Sequence, residues 1–298
     1  MTITIPPLHV GHGTSFGGLT AFPVWLDGPG ISGLDWTPGN IHVAEREGSP
    51  VVEELVVENV SIRPLVALEG DLLKGGWQDR MIATSILLAP RQRRVVEAVC
   101  VEHGRWSGSG GHDFRGERGS TSVRHGNISL RDFLTTGEDA QHEVWRRIGR
   151  YEAELGATES SSMLDHLQAS TGAPPTRIAG QSGVIIGIGG RVIGGRVIGG
   201  EIFGSPIGLR ARWRGILDAA TLDARLSPSI PTPSALARRF ARQLATVPLE
   251  DGGDAGLARQ VRSTREDLRV SGIALGAELD RIIHLAAFDE SHTLLENA

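Results

Sequence analysis

Two apolar runs, Met81-Ile-Ala-Thr-Ser-Ile-Leu-Leu88 and Val95-Val-Glu-Ala-Val-Cys-Val-Glu102, flank the short polar link Ala89-Pro-Arg-Gln-Arg-Arg94. Each run has the length and β-branched content of a strand. A parallel crossover needs a dozen or more residues, so so short a link predicts an antiparallel, hairpin-type connection. Upstream, Val51-Val-Glu-Glu-Leu-Val-Val-Glu-Asn-Val60 and Leu65-Val-Ala-Leu68 read as strands for the same reasons, and Leu19-Thr-Ala-Phe-Pro-Val-Trp-Leu26 reads as an edge strand because Pro23 lacks a ladder donor. The first hundred residues are therefore expected to form a β-sandwich or open barrel.

Downstream, Ser107 to Ser122 is rich in glycine and almost without apolar residues, the composition of a long loop. Val144, Trp145, Ile148, Tyr151 and Leu155 then share one helical face, and Ser160 to Leu167 predicts a second short helix with a serine cap. The repeat Gly189-Gly-Arg-Val-Ile-Gly-Gly-Arg-Val-Ile-Gly-Gly200 has a period of five residues. An odd period turns successive copies to opposite faces of a strand, so a hairpin over Gly183–Phe203 with a turn or bulge at Gly194-Gly195 is expected. Ser205-Pro206 and Thr232-Pro233 open two further helices, with stripes at Leu209, Trp213, Ile216, Leu217 and at Leu236, Phe240, Leu244. Glu250-Asp-Gly-Gly-Asp254 reads as a breaker, Leu268–Leu275 and Leu279–Phe288 as a closing hairpin, and Glu290 to Ala298 as a frayed end. The expected fold is α+β, an antiparallel β-sandwich or barrel-like sheet with packed helices. Its expected organisation is a β-rich part over 1–110, a polar glycine-rich loop over 111–140, and an α+β part over 141–298 that completes the same domain.

The 298 residues carry 30 basic and 35 acidic side chains, a formal charge of -5, so there is no global basic field to attract nucleic acid or an anionic membrane. Apolar runs such as Ser85-Ile-Leu-Leu-Ala89 fall far below the roughly 18 residues of a membrane span. Met1-Thr-Ile-Thr-Ile-Pro6 lacks the basic and apolar regions of a signal peptide, and the single cysteine, Cys100, has no internal disulfide partner; a cytoplasmic location is expected. Lys74 is the sole lysine, so nearly every cation is a guanidinium.

The unusual chemistry is concentrated in Glu69-Gly-Asp71, Gly75-Gly-Trp-Gln-Asp-Arg80 and Cys100-Val-Glu-His-Gly-Arg-Trp106. Glu69, Asp71 and Glu102 are candidate catalytic carboxylates, able to act as general base or bind a hard cation. Gln78, Arg80 and Arg105 are candidate ligand-binding groups, since a guanidinium fork matches phosphate or carboxylate. All six sit at strand ends and turns and are expected to converge on one locality. The competing reading is a buried structural network in which Arg80 and Arg105 pair with Glu69, Asp71 or Glu102. Cys100 alternates with small apolar residues, which favours a buried, inert thiol. Glu102, His103, His112 and His125 lack the spacing of a metal site, so none is expected. The glycines at 187–190 fit a hairpin better than a phosphate loop, which would need further glycines or a Gly-Lys-Ser/Thr ending.

These pieces, with Thr84-Ser85 and Pro90 between them, resemble the signature of the ARG and rhodanese-phosphatase-superfamily-associated protein domain family, ARG denoting ADP-ribosylglycohydrolase. The pattern is roughly E-G-[DE], G-x-Q-[ND]-R, a serine-containing strand and C-V-E-x-G-R-W, with Asp79 here at the Asn/Asp position. Leu19–Pro23, Gly183–Gly187, Gly200–Pro206 and His284–Phe288 extend the resemblance along nearly the whole chain, whereas the doubled Gly-Gly-Arg-Val-Ile departs from it. The resemblance implies association with enzymes of ADP-ribose and NAD metabolism and names neither a reaction nor a cofactor. Two readings follow. The chain is an enzyme or accessory protein handling an NAD, ADP-ribose or nucleotide-like small anionic ligand, or it is a non-catalytic β-rich module that assembles with its own copy or another protein. A ligand site leaves polar side chains unpaired, and a structural network closes them.

Overall fold

The computed structural model describes residues 5–46, 51–108, 110–132, 137–168, 174–189, 195–228, 230–276 and 281–296. The fold is α+β with antiparallel sheets, and the chain divides into two compact units, each described by itself. One comprises Met1–Ser32, Gly172–Trp213 and Asp223–Ala298; the other comprises Gly33–Thr171 and Arg214–Leu222. In chain order, β1 (Leu8–Val10), β2 (Thr14–Phe16) and β3 (Leu19–Leu26) begin the first unit. The second unit follows with β4 (Ile41–Glu45), β5 (Glu54–Asn59), β6 (Leu65–Ala67), β7 (Leu72–Gly75), β8 (Arg80–Ile82), β9 (Ile86–Leu88), β10 (Arg93–Cys100), β11 (Gly111–Asp113), α1 (Thr121–Asp132), α2 (Gly137–Leu155) and α3 (Met163–Gln168). The chain then forms β12 (Gly183–Ile188), β13 (Arg196–Phe203), α4 (Pro206–Leu226), α5 (Ser234–Ala245), β14 (Glu250–Ala255), β15 (Ala258–Thr264), β16 (Leu268–Leu275) and β17 (Arg281–Asp289). Among the described residues no helix is long and apolar enough to cross a membrane.

The first unit is built on a nine-stranded sheet in the order β1-β3-β12-β13-β17-β16-β15-β14, with β2 also pairing with β3. Phe22, Val24, Ile185, Ile202, Leu285 and Ala287 from the sheet and Ala237, Phe240 and Leu244 from α5 share one core. Helix α4 starts as its sequence dictates, with the Ser205 hydroxyl accepting from the Ile207 N–H and Pro206 in the first turn. Strand β3 corrects the edge-strand expectation, because it lies inside the sheet. The Pro23 carbonyl accepts from Gly11 N–H, so the proline's backbone faces the gap between β1, which ends opposite Val24, and β2, which starts opposite Ala21. The missing N–H therefore falls where no neighbouring strand asks for one.

Three more expectations in this unit meet a definite outcome. The glycine-rich hairpin forms, with Gly183 opposite Ile202 and Ile188 opposite Arg196, and its register shift lies between Ile186 and Gly187; Gly194, where a turn was expected, lies outside the described residues. The supposed breaker at Glu250–Asp254 is strand β14, which absorbs its glycines in a shift between Asp251 and Gly253 and, as the last strand of the sheet, exposes its charges as an edge should. The segment 290–296 is not frayed: Leu294, Leu295 and His292 are buried, and His292 Nε2 donates to the Ile188 carbonyl at 3.1 Å while Nδ1 accepts from Leu294 N–H at 3.2 Å.

The second unit contains a closed barrel, β10-β5-β4-β11-β7-β8, and a separate β6–β9 pair. The barrel corrects the open form expected for the first hundred residues, and β1 to β3 are not part of it. The two runs first quoted do pair antiparallel, Met81 opposite Val99 and Ile82 opposite Ala98, but not as a hairpin across the short link: Ser85 takes the Glu69 N–H on its hydroxyl between β8 and β9, after which β9 pairs with β6 while β10 pairs with β5 and β8. The stretch 111–140, expected as a loop, holds β11 and the helix α1. Helix α1 was hidden because it buries polar residues, with Arg124 on Glu69 and Asn127 donating to the Ala83 carbonyl.

Burial pushes the His292 pKa below the ordinary histidine value, against the pull of its hydrogen bond to Ile188. The unfolded chain then binds a proton that the folded chain refuses, so stability is complete above about pH 7 and declines as pH falls through about 6.5. Urea midpoints measured between pH 8 and 5 should show this decline, and His292→Gln should flatten it.

Candidate functional site

Strand alternation determines what fills the barrel. On β4, Ile41 and Val43 point to the core; on β8, Ile82; on β10, Val96 and Ala98; and Phe114 does so just after β11. The same parity carries Glu45, Arg80, Cys100 and His112 to the inside, and all four side chains are buried. Register sets them at one end: Arg80 lies opposite Cys100 and Leu73, and His112 opposite Val43 and Gly75. The barrel thus has an apolar body and a polar end layer.

Within that layer Gln78 Oε1 accepts from Arg80 Nη1 at 3.0 Å and from the Cys100 thiol at 2.9 Å, and Arg80 Nη1 also meets Cys100 Sγ. Glu45 Oε1 accepts from Trp77 N–H at 3.1 Å and faces His112 Nε2 at 3.2 Å. A carboxylate oxygen requires a donor opposite it, which assigns the proton to Nε2 and the lone pair to Nδ1. Arg80 Nε and Nη2, Glu45 Oε2 and His112 Nδ1 are buried with no hydrogen-bond partner among the described residues. Gly76, at φ +60, closes the layer; a Cβ there would stand 2.2 Å from the His112 ring and 2.9 Å from Glu45 Oε1. Above Arg80, the Trp106 ring centre is 5.6 Å from Cζ and 5.7 Å from that of Trp77, and Trp106 is 45% exposed. Burial pushes the Cys100 thiol up to about 12, and it pushes His112 down against the opposing pull of Glu45.

The six residues singled out from the sequence divide between two networks. Glu102 takes Arg105 side-on, Oε1 from Nε at 2.8 Å and Oε2 from Nη2 at 2.7 Å, while Oε2 also accepts from Asp79 N–H. Arg105 Nη1 completes the brace on the Gly76 and Ser107 carbonyls. Gln78 joins this network to Arg80 by donating to the Glu102 carbonyl at 3.3 Å. Glu69 and Asp71 belong elsewhere, near Ile82, whose backbone pairs with Gly70 and Asp71. Glu69 Oε2 accepts from Arg124 Nε and Nη2 at 3.0 and 2.8 Å, and Asp71 Oδ1 accepts from Arg118 Nη1 at 2.9 Å. Sequence reasoning missed Arg118 and Arg124, which lie in a polar stretch without periodicity. It also missed Glu45, for which Ile41-His-Val-Ala-Glu45 did hold a signal, a carboxylate at a core-facing step of an alternating strand.

Chemically, Glu69, Asp71 and Glu102 are each held by a guanidinium, which stabilises the carboxylate and fixes its oxygens in bonds to protein donors. Among the described residues no group of three or more His, Cys, Asp or Glu is placed to hold a metal ion. Removing Arg124 would leave Glu69, 4% exposed, without its guanidinium. Arg124→Met should therefore lower unfolding stability by about 3–5 kcal/mol, whereas Arg214→Ala at the exposed Arg214–Asp218 pair should lower it by under about 1 kcal/mol, both read from urea titrations. The Cys100 thiol should also resist an aromatic disulfide reagent at pH 8 and react only in denaturant.

A family model described as ARG and Rhodanese-Phosphatase-superfamily-associated Protein domain matches residues 7–288, and the chain belongs to that family. No curated protein and no solved structure matches the chain.

Proposed function

We propose that this member of the family is an accessory, ligand-binding protein that takes a small anionic, nucleotide-like ligand, of the NAD or ADP-ribose class, at the polar end of its barrel. The observation that carries this reading is the Nε–Nη2 edge of Arg80, buried and without a hydrogen-bond partner among the described residues. It is the same two-donor edge with which Arg105 grips Glu102 and Arg124 grips Glu69. On Arg80 that edge is shaped for an oxyanion brought by another molecule. The half-exposed Trp106 ring supplies a stacking face for a planar base beside it. The family's description associates these proteins with ARG, read here as ADP-ribosylglycohydrolase, and with the rhodanese-phosphatase superfamily, and the first of these supports the ligand class by association. Binding rather than bond cleavage is the role favoured, since the three candidate catalytic carboxylates are all clamped by arginines. Those clamped networks are also what a non-catalytic protein-interaction module would contain, and the test includes that outcome.

Tryptophan fluorescence should show saturable binding of ADP-ribose, NAD or AMP. Arg80→Met keeps most of the apolar volume and removes the fork; it should weaken binding by about 10-fold or more, the worth of one or two charge-assisted hydrogen bonds. Undiminished binding by Arg80→Met overturns the reading. So does an absence of saturable binding to all three compounds, and a lowered unfolding midpoint for Arg80→Met would then assign the layer to the interaction-module alternative.

A further inference from the structure

Two buried acceptors share the polar layer with the Arg80 edge. Glu45 Oε2 has no donor among the described residues although Oε1 of the same carboxylate has two, and His112 Nδ1, the lone-pair nitrogen of a ring fixed through Nε2, has none. Buried acceptors of this kind are costly when left without a donor, and a charged one more than a neutral one. Their placement follows from strand parity and from Gly76, whose missing side chain lets both groups approach the turn.

A bare oxyanion answers only half of this arrangement. It would satisfy the two donors of Arg80, yet it brings no hydrogen to Glu45 or His112 and sets its own negative charge near a carboxylate. An ammonium would suit Glu45 but would add a second cation to a layer already holding the permanent charge of Arg80. A neutral hydroxyl donates to both acceptors without adding charge. Resting on the reading that Arg80 holds the anion, we infer that the ligand is an oxyanion whose carbon skeleton bears hydroxyl groups, of the sugar phosphate class. The phosphate meets the Nε–Nη2 edge of Arg80, and the hydroxyls donate to Glu45 Oε2 and His112 Nδ1. Glu45 and His112 are then specificity residues: they distinguish a phosphorylated polyol from phosphate itself.

Calorimetric titration of the whole chain with inorganic phosphate, ribose 5-phosphate and a cyclopentylmethyl phosphate, which lacks hydroxyls, tests this. Ribose 5-phosphate should bind at least about 10-fold tighter than either of the others, the worth of one or two satisfied acceptors. In Glu45→Gln and in His112→Phe, the ratio of ribose 5-phosphate to cyclopentylmethyl phosphate affinity should fall toward one. Equal affinities for the two organic phosphates in the wild-type chain overturn the inference, as does an unchanged ratio in both variants. The wild-type series alone decides if the variants fail to fold. Binding of phosphate that depends on Arg80 but gains nothing from hydroxyls removes this inference and leaves the proposed function standing; no binding of any of the three phosphates removes the sugar phosphate class, while the titrations with ADP-ribose, NAD and AMP judge the proposed function separately.

Discussion

An arginine cannot shed its charge inside a protein, and that constraint organises the second unit. Once β8 turns Arg80 to the inside of a closed barrel, acceptors must be assembled around it. Gln78, two residues earlier, bends its amide back to Nη1, Cys100 offers its sulfur from the facing strand, and Trp106 lays a ring over the guanidinium. Glu45 adds a negative charge from β4, and its own demand for donors draws in Trp77 and His112. The glycine at 76 follows in turn, because two side chains already fill the space a Cβ would take.

Other buried arginines in this unit show how such a charge is ordinarily settled. Arg118, Arg124 and Arg147 each reach a carboxylate and a neighbouring carbonyl or second oxygen contact, and all three are almost wholly buried. Arg118 ties the glycine-rich segment and Arg124 ties α1 to the turns of the β structure, while Arg147 ties α2 to α1, tasks that apolar residues would otherwise perform. Arg80 differs in kind. Its one hydrogen-bonded nitrogen looks to an amide and a thiol, both neutral, and Glu102, joined to it through Gln78, already holds Arg105.

The fold was legible wherever burial is apolar. Runs of valine, isoleucine and leucine marked the strands, Ser205-Pro206 marked the start of α4, and the stripe through Phe240 and Leu244 marked the face of α5. Legibility failed where hydrogen bonds do the burying, as in α1, whose Arg124, His125 and Asn127 look like loop residues, and where sheet context decides, as for Pro23. The site was legible in part for the same reason. Arg80, Gln78, Glu102 and Arg105 stand in a compact motif, but the partners of Glu69 and Asp71 come from a segment with no period, and pairing between strands far apart in sequence brought Glu45 and His112 to Arg80.

The pairing of β3 with β12 has a consequence for synthesis. Thr20 lies opposite Gly187, and all of the barrel's strands are encoded between them. A chain made from its N-terminus therefore presents Leu19 to Leu26, an apolar and β-prone segment, long before its inner neighbour has left the ribosome. Only the short strands β1 and β2 can cover one edge in that interval, and the break between them sits at the proline. A ring that donates no hydrogen bond, set in the middle of the segment, limits what a stranger's strand could gain by pairing there, so the residue that first suggests a sheet margin also guards a central strand while it waits.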